Sequence, residues 1–161
     1  LDVTRPAAKT LADEIKQTRP FSSPAQEATI ALLRTANVVR RRLSRLVERE
    51  DVTLQQYNVL RILRGAKGPL SALEIQDRLV EDAPGVSRLI DRLVFKGFVR
   101  RDRGTKDRRL LECWITGKGL EVLERLDVDV DRLDVSVLDG LTARDINELT
   151  NLLAKVRAAN E

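Results

Sequence analysis

The chain has no histidine, no methionine and a single cysteine, Cys113, and only 3% of its residues are aromatic. Without histidine there is no imidazole metal ligand, no imidazole general base and no side chain that ordinarily titrates near neutrality. One cysteine cannot form an internal disulfide, so 161 residues must hold together on buried apolar surface. No apolar run approaches the roughly 20 residues of a membrane-spanning helix, and no secretory signal pattern is present. A cytoplasmic location is therefore expected, with no membrane partner. The lack of methionine leads to the expectation that the natural N-terminus has been trimmed. There is no phosphate-binding glycine loop, no metal-ligand cluster and no nucleophile beside a base. The expectation is a protein that is not an enzyme, with no catalytic residues, no metal and no cofactor.

Charge is abundant instead, at 34% of residues for a net +4. The small net value hides a segregation. Residues 83–110 carry nine Arg or Lys against three Asp, which is +6, and residues 120–150 carry nine acids against three Arg, which is −6. Such a chain draws polyanions to one end and repels them from the other.

Helix starts are well marked. Ser23-Pro24-Ala25-Gln26, Thr53-Leu54-Gln55-Gln56 and Ser71-Ala72-Leu73-Glu74 fit the capping box, and Thr142-Ala143-Arg144-Asp145 is a weaker version. Apolar periodicity then predicts six helices, over about 24–50, 54–64, 72–80, 84–96, 117 onward and 143–158. The fourth is expected to be capped near Asp82 or Ala83 and stopped by Gly97. A short helix within residues 6–18 is also expected. After Gly97 the period changes to two. Leu111, Cys113 and Ile115 alternate with Glu112 and Trp114, as in a half-buried strand pairing with residues 98–103 across a tip at 104–109. Cys113 then reads as a small buried hydrophobe rather than a redox sensor.

The helices at 72–80 and 84–96 form a helix-turn-helix. Val86, Leu89, Ile90 and Leu93 share the packing face, leaving Pro84, Gly85, Ser87, Arg88, Asp91 and Arg92 outward. Offered to a major groove by its N-terminal end, the second helix presents residues 84–88 to base edges, with Arg88 suited to bidentate contact with guanine. Arg92 extends that face. Ser71, opening the preceding helix, is placed for a phosphate. Arg101, Arg103, Lys106, Arg108 and Arg109 make the hairpin a wing for a narrow minor groove, with Asp107 as a strut that orients Arg109. The partner is double-stranded DNA.

The run Val86-Ser87-Arg88-Leu89-Ile90-Asp91-Arg92-Leu93, then Lys96-Gly97-Phe98-Val99-Arg100-Arg101, Asp107-Arg108-Arg109, Ile115-Thr116 and Gly119 resembles the MarR family of winged-helix regulators. The resemblance implies a homodimer with interlaced terminal helices above two winged helix-turn-helix lobes. It also implies a pseudo-palindromic operator and release by a small anionic or phenolic ligand or by oxidation. By analogy Asp107 and Arg109 take wing roles, and Ser87 and Arg88 take recognition roles. Pro84-Gly85 departs from the small hydroxylated pair that often opens the family's recognition helix. The cysteine that the oxidation-sensing branch carries near the start of the first long helix is missing here.

The expected fold is therefore mainly α with a small β-hairpin wing (α+β). An N-terminal arm spans 1–22, dimerisation helices span 23–50 and 117–161, and a winged helix-turn-helix lobe spans 51–116. The leucine and valine stripe of the fifth helix requires a partner face, which points to a homodimer. Arg34, Arg40, Arg41, Arg42, Arg45 and Arg49 on the first long helix have two readings. They pair with acids at 127–134, or they line an anion pocket with Arg41 and Tyr57. Two functions are open: a ligand-released, sequence-specific repressor, or an architectural or protein-interaction winged helix that reads no sequence.

Overall fold

The computed structural model describes residues 9–81, 85–104 and 111–160. Asp82, Ala83, Pro84 and the wing-tip residues Lys106, Asp107, Arg108 and Arg109 lie outside them. The cap expected at Asp82 or Ala83 and the Asp107 strut are thus not described. The chain divides into two units, Leu1–Arg41 and Arg42–Glu161.

The first unit holds helix α1 (Leu11–Ile15) and the start of α2 (Pro24–Val47). Thr10 and Asp13 close a reciprocal capping box around α1. At α2 the Ser23 hydroxyl accepts from the Gln26 amide at 3.1 Å. The Gln26 side chain, however, accepts from the amide and hydroxyl of Ser22 rather than reaching Ser23, so the expected box is displaced by one residue.

The second unit begins where α2 tightens into a 3₁₀ turn, Glu48–Glu50, with Asp51 left-handed at φ 54°. There follow α3 (Leu54–Gly65), β1 (Leu70–Ser71), α4 (Ala72–Gln76), α5 (Val86–Phe95), β2 (Val99–Arg103), β3 (Leu111–Ile115), α6 (Gly117–Val137) and α7 (Ala143–Ala158). The core joins Tyr57, Leu60 and Leu63 of α3, Ile75 of α4, Leu89, Ile90 and Leu93 of α5, and Val122, Leu123 and Leu126 of α6. These positions recur at three and four residues, which aims one stripe of each helix at a common centre. Val99 and Cys113 close the core from the sheet.

Four expectations are corrected. Helix α4 ends at Gln76, because Arg78 and Leu79 bond back three residues instead of four and wind the chain into a turn. Helix α5 starts at Val86, with left-handed Gly85 (φ 86°) as its N-cap. The hairpin is part of a three-stranded antiparallel sheet ordered β1-β3-β2, since Leu70 and Ser71 pair with Cys113 and Glu112. Leu111, expected inward, is 47% exposed because β3 has there run beyond the core.

The end of α5 fixes everything after it. Gly97 is left-handed at φ 74°. Its amide bonds to the Val94 carbonyl and that of Phe98 to Leu93, both at 2.9 Å, while buried Phe98 and Leu93 supply the apolar contact of a Schellman closure. The Phe98 carbonyl then accepts from the Thr116 amide at 3.0 Å. Thr116 caps α6 by accepting from Gly119 at 3.1 Å and donates to the Gly97 carbonyl at 2.7 Å. A Cβ on Gly119 would collide with the Phe98 carbonyl oxygen and lie 2.9 Å from Ile115 Cγ1.

Gly119→Ala is therefore expected to destabilise the protein by about 1–3 kcal/mol, the usual cost of overpacking. A urea midpoint equal to wild type would contradict this close approach.

Two exposed caps carry a pH dependence. The Ser71 amide and then its hydroxyl hold the Glu74 carboxyl below the usual range, and the Thr142 hydroxyl and then amide do the same for Asp145. A depressed folded-state pKa gives stability that is complete above the ordinary carboxylate range and lost as pH falls through the depressed value. Urea midpoints should fall on acidification below about pH 4.5, and the double variant Glu74→Gln, Asp145→Asn should show a shallower fall. Equal acid limbs in both proteins would refute the assignment.

Candidate nucleic-acid interface

Helix α5 is two-faced. Val86, Leu89, Ile90 and Leu93 are buried, whereas Ser87, Arg88, Asp91, Arg92 and Phe95 are exposed. The buried stripe clamps the helix to α3 and α4, and among the described residues the outer face stays exposed. Arg88 and Arg92 form no ion pair among the described residues, and neither does exposed Arg103 on β2. Their charge is available to an external anion.

Helix and wing are tied together. Arg101 on β2 bonds to Asp91 on α5 at 2.5 Å. The strand pairing that carries Arg101 sets Val99 opposite Ile115 and Arg103 opposite Leu111. Arg100 pairs with Asp102 at 2.7 Å and lies over Trp114, 5.6 Å from the ring centroid. At the C-terminal end of α5 two lysines are engaged, of which Lys118 meets the helix end itself. Lys118 donates to the Lys96 carbonyl at 3.0 Å, while Lys96 reaches both the Asp51 carbonyl and its carboxylate, the latter at 2.9 Å.

The structure thus brings Gly85, Ser87, Arg88, Arg92 and Arg101 onto one helix and its adjoining strand. Pro84, Lys106, Asp107, Arg108 and Arg109 lie outside the described residues. The Ser71 hydroxyl is engaged in its capping box, donating to Glu74 at 2.8 Å. The sequence alone assigns no role to Asp91 or Phe95. A carboxylate amid guanidinium groups was the available signal for Asp91, but its partner lies ten residues on.

The arginine-rich end of α2 partly takes the ion-pair reading. Arg49 meets Asp129 at 3.6 Å, and Arg42 donates to Ser136 at 2.7 Å. Between them a cavity of about 460 Å³ is lined by Arg42, Arg45, Arg49, Asp129, Arg132 and Ser136. Tyr57 is 1% exposed inside the core, with Arg61 5.7 Å from its ring centroid. Burial, opposed in part by Arg61, pushes its phenol pKa up. Arg41 is exposed on α2.

The MarR family model matches residues 52–111, which span α3 to the start of β3. The multiple antibiotic resistance protein MarR of Escherichia coli is 30% identical over 132 residues, covering 79% of this chain and 91% of that one. The chain belongs to the MarR family. The transcriptional regulator TtmR of Methylorubrum extorquens is 31% identical over 127 residues, 79% of this chain; the match spans only 64% of TtmR. A MarR transcription factor from Planctomyces limnophilus superimposes with a TM-score of 0.64 at 34% identity, covering 84% of this chain and 98% of that one. S. aureus MepR, solved as a DNA complex, gives a TM-score of 0.75 at 18% identity with coverage of 86% and 100%, a likeness of fold alone. MarR-family members are regulators and not enzymes. Among the described residues no group of acidic or cysteine side chains could hold a metal ion, and no helix is long and apolar enough to cross a membrane.

Cys113 is buried, and desolvation raises its thiol pKa against the opposing pull of Arg101. It should resist iodoacetamide at pH 8 in the native protein and react on unfolding. Rapid native alkylation would contradict its place in the core.

Proposed function

We propose that the chain is a homodimeric, sequence-specific transcriptional repressor, acting in the cytoplasm, that binds a pseudo-palindromic operator and is released by a small anionic or phenolic ligand. The observation that carries this reading is the exposed face of α5. Its inner stripe is sunk in the core while Ser87, Arg88 and Arg92 stand outward. In this role Gly85, Ser87 and Arg88, with Pro84 before them, meet base edges in the major groove. Arg101 and Arg103 lead into a wing whose Lys106, Asp107, Arg108 and Arg109 serve the minor groove, and Ser71 lies near a phosphate.

Dimerisation is supported by apolar side chains left exposed on the terminal helices. Leu152 and Val156 on α7 and Val135 on α6 are 51%, 47% and 75% exposed. A second copy offers a matching face by symmetry. The arginine-lined cavity between α2 and α6 supports an anionic effector. Arg41 on α2 and Tyr57 on α3 belong to the same proposal, though neither lines that cavity.

Titration with salt of binding to a selected palindrome and to random duplex tests the reading. A repressor dimer keeps a large preference for the palindrome at physiological salt; equal binding to both would favour an architectural role and overturn it. Arg88→Ala should lose about 1–3 kcal/mol of base discrimination, whereas Arg109→Ala should weaken binding evenly across sequences. A monomer in sedimentation at micromolar concentration would contradict the dimer.

A further inference from the structure

Phe95 is 93% exposed, the most exposed large apolar side chain among the described residues. It follows Arg88 by seven residues, which is almost two full helical turns, so the two share a side of α5 about 10 Å apart along the axis. With successive residues turned by about 100°, Phe95 points within roughly 20° of the direction opposite Val86, Leu89, Ile90 and Leu93. It therefore contributes nothing to the core. Its face of the helix is basic: Arg92 lies one turn and Arg88 two turns before it, and the carboxylate of that face, Asp91, is bound by Arg101 at 2.5 Å. An apolar ring set in positive charge on the outer face of this helix suits duplex DNA, a polyanion whose groove also holds an apolar group. The major groove offers one apolar group, the thymine C5-methyl. With the outer face of α5 laid along the groove, so that Arg88 near its start and Phe95 at its end both face the bases, a separation of about 10 Å corresponds to roughly three base steps.

We propose that Phe95 is a specificity-determining residue of the DNA interface, packing on a thymine methyl about three base pairs from the position read by Arg88. The proposal rests on the regulator reading above and adds to it a base and a residue. Three features of the local structure make it testable without disturbing the fold: the ring is almost fully exposed, the helix is held from its other side, and Phe95 precedes the Gly97 closure.

The test begins with the duplex that wild-type protein selects from a randomised library. Each thymine is replaced in turn by deoxyuridine, which removes only the methyl group, and affinities are measured for wild type, Phe95→Leu and Phe95→Ala. Wild type should lose about fourfold at one thymine per half-site, the effect of one buried methyl. Phe95→Ala should bind the selected duplex about tenfold more weakly and be indifferent to that replacement, while Phe95→Leu keeps part of both effects. Its melting temperature should match wild type. If wild type selects a sequence but Phe95→Ala binds it equally well, or both proteins give the same deoxyuridine profile, the assignment of Phe95 is wrong and the regulator reading stands. If wild type selects no sequence, both fall together.

Discussion

The carbonyl of Phe98 is where the parts of the winged lobe meet. It takes the Thr116 amide, and Gly119 passes it so closely that a side chain there has no room. The same few residues end α5, start β2, finish β3 and cap α6. Each of these elements is too short to hold a fixed direction alone: α5 has ten residues and each wing strand five. An isolated helix of that length is marginal in water. Closing α5 with Gly97 and seating α6 on Phe98 turns them into one body whose orientation is set by the core.

From that constraint the two faces of α5 follow. The inner residues are committed to packing, so the outer ones cannot rotate inward without breaking the core, and the arginines remain available. The Asp91–Arg101 pair extends the fixed geometry to the base of the wing. Elsewhere charge is absorbed internally. Arg64 makes a bidentate bond to Asp127 at 2.8 and 2.9 Å, and Arg125 reaches Glu50 at 2.7 Å. Exposed pairs of this kind contribute little stability each. Arg88, Arg92 and Arg103 have no such partner among the described residues.

The sequence made the local devices legible. Thr53, Ser71 and Thr142 each form the reciprocal box that their spacing announces, because a capping box involves only four consecutive residues. The helical stripes and the strand alternation at Cys113 could be read for the same reason. Features decided by distant partners could not. Strand β1 has two residues and exists through pairing with Cys113 and Glu112, more than forty positions away. Leu111 fits the period-two pattern yet emerges from the core because the sheet outruns the helices beneath it. In the site, Ser87, Arg88 and Arg92 were identifiable from helical phase, whereas the Asp91–Arg101 bond and the isolation of Phe95 depended on tertiary placement. The early end of α4 at Gln76 had no sequence signal, since Asp77, Arg78 and Leu79 are compatible with continued helix.

Helix α5 is held by its junction with β2 and α6 before any partner arrives. Residue-resolved amide hydrogen exchange on the DNA-free protein tests it most directly. The account predicts that the amides of Phe98, Thr116 and Gly119, with those of Ile90 and Leu93, exchange only through global unfolding, at the same free energy as the centres of α3 and α6. Exchange of the α5 and Phe98 amides at a much lower opening free energy than α3 and α6 would show a helix that orders only on its target, and would contradict the account.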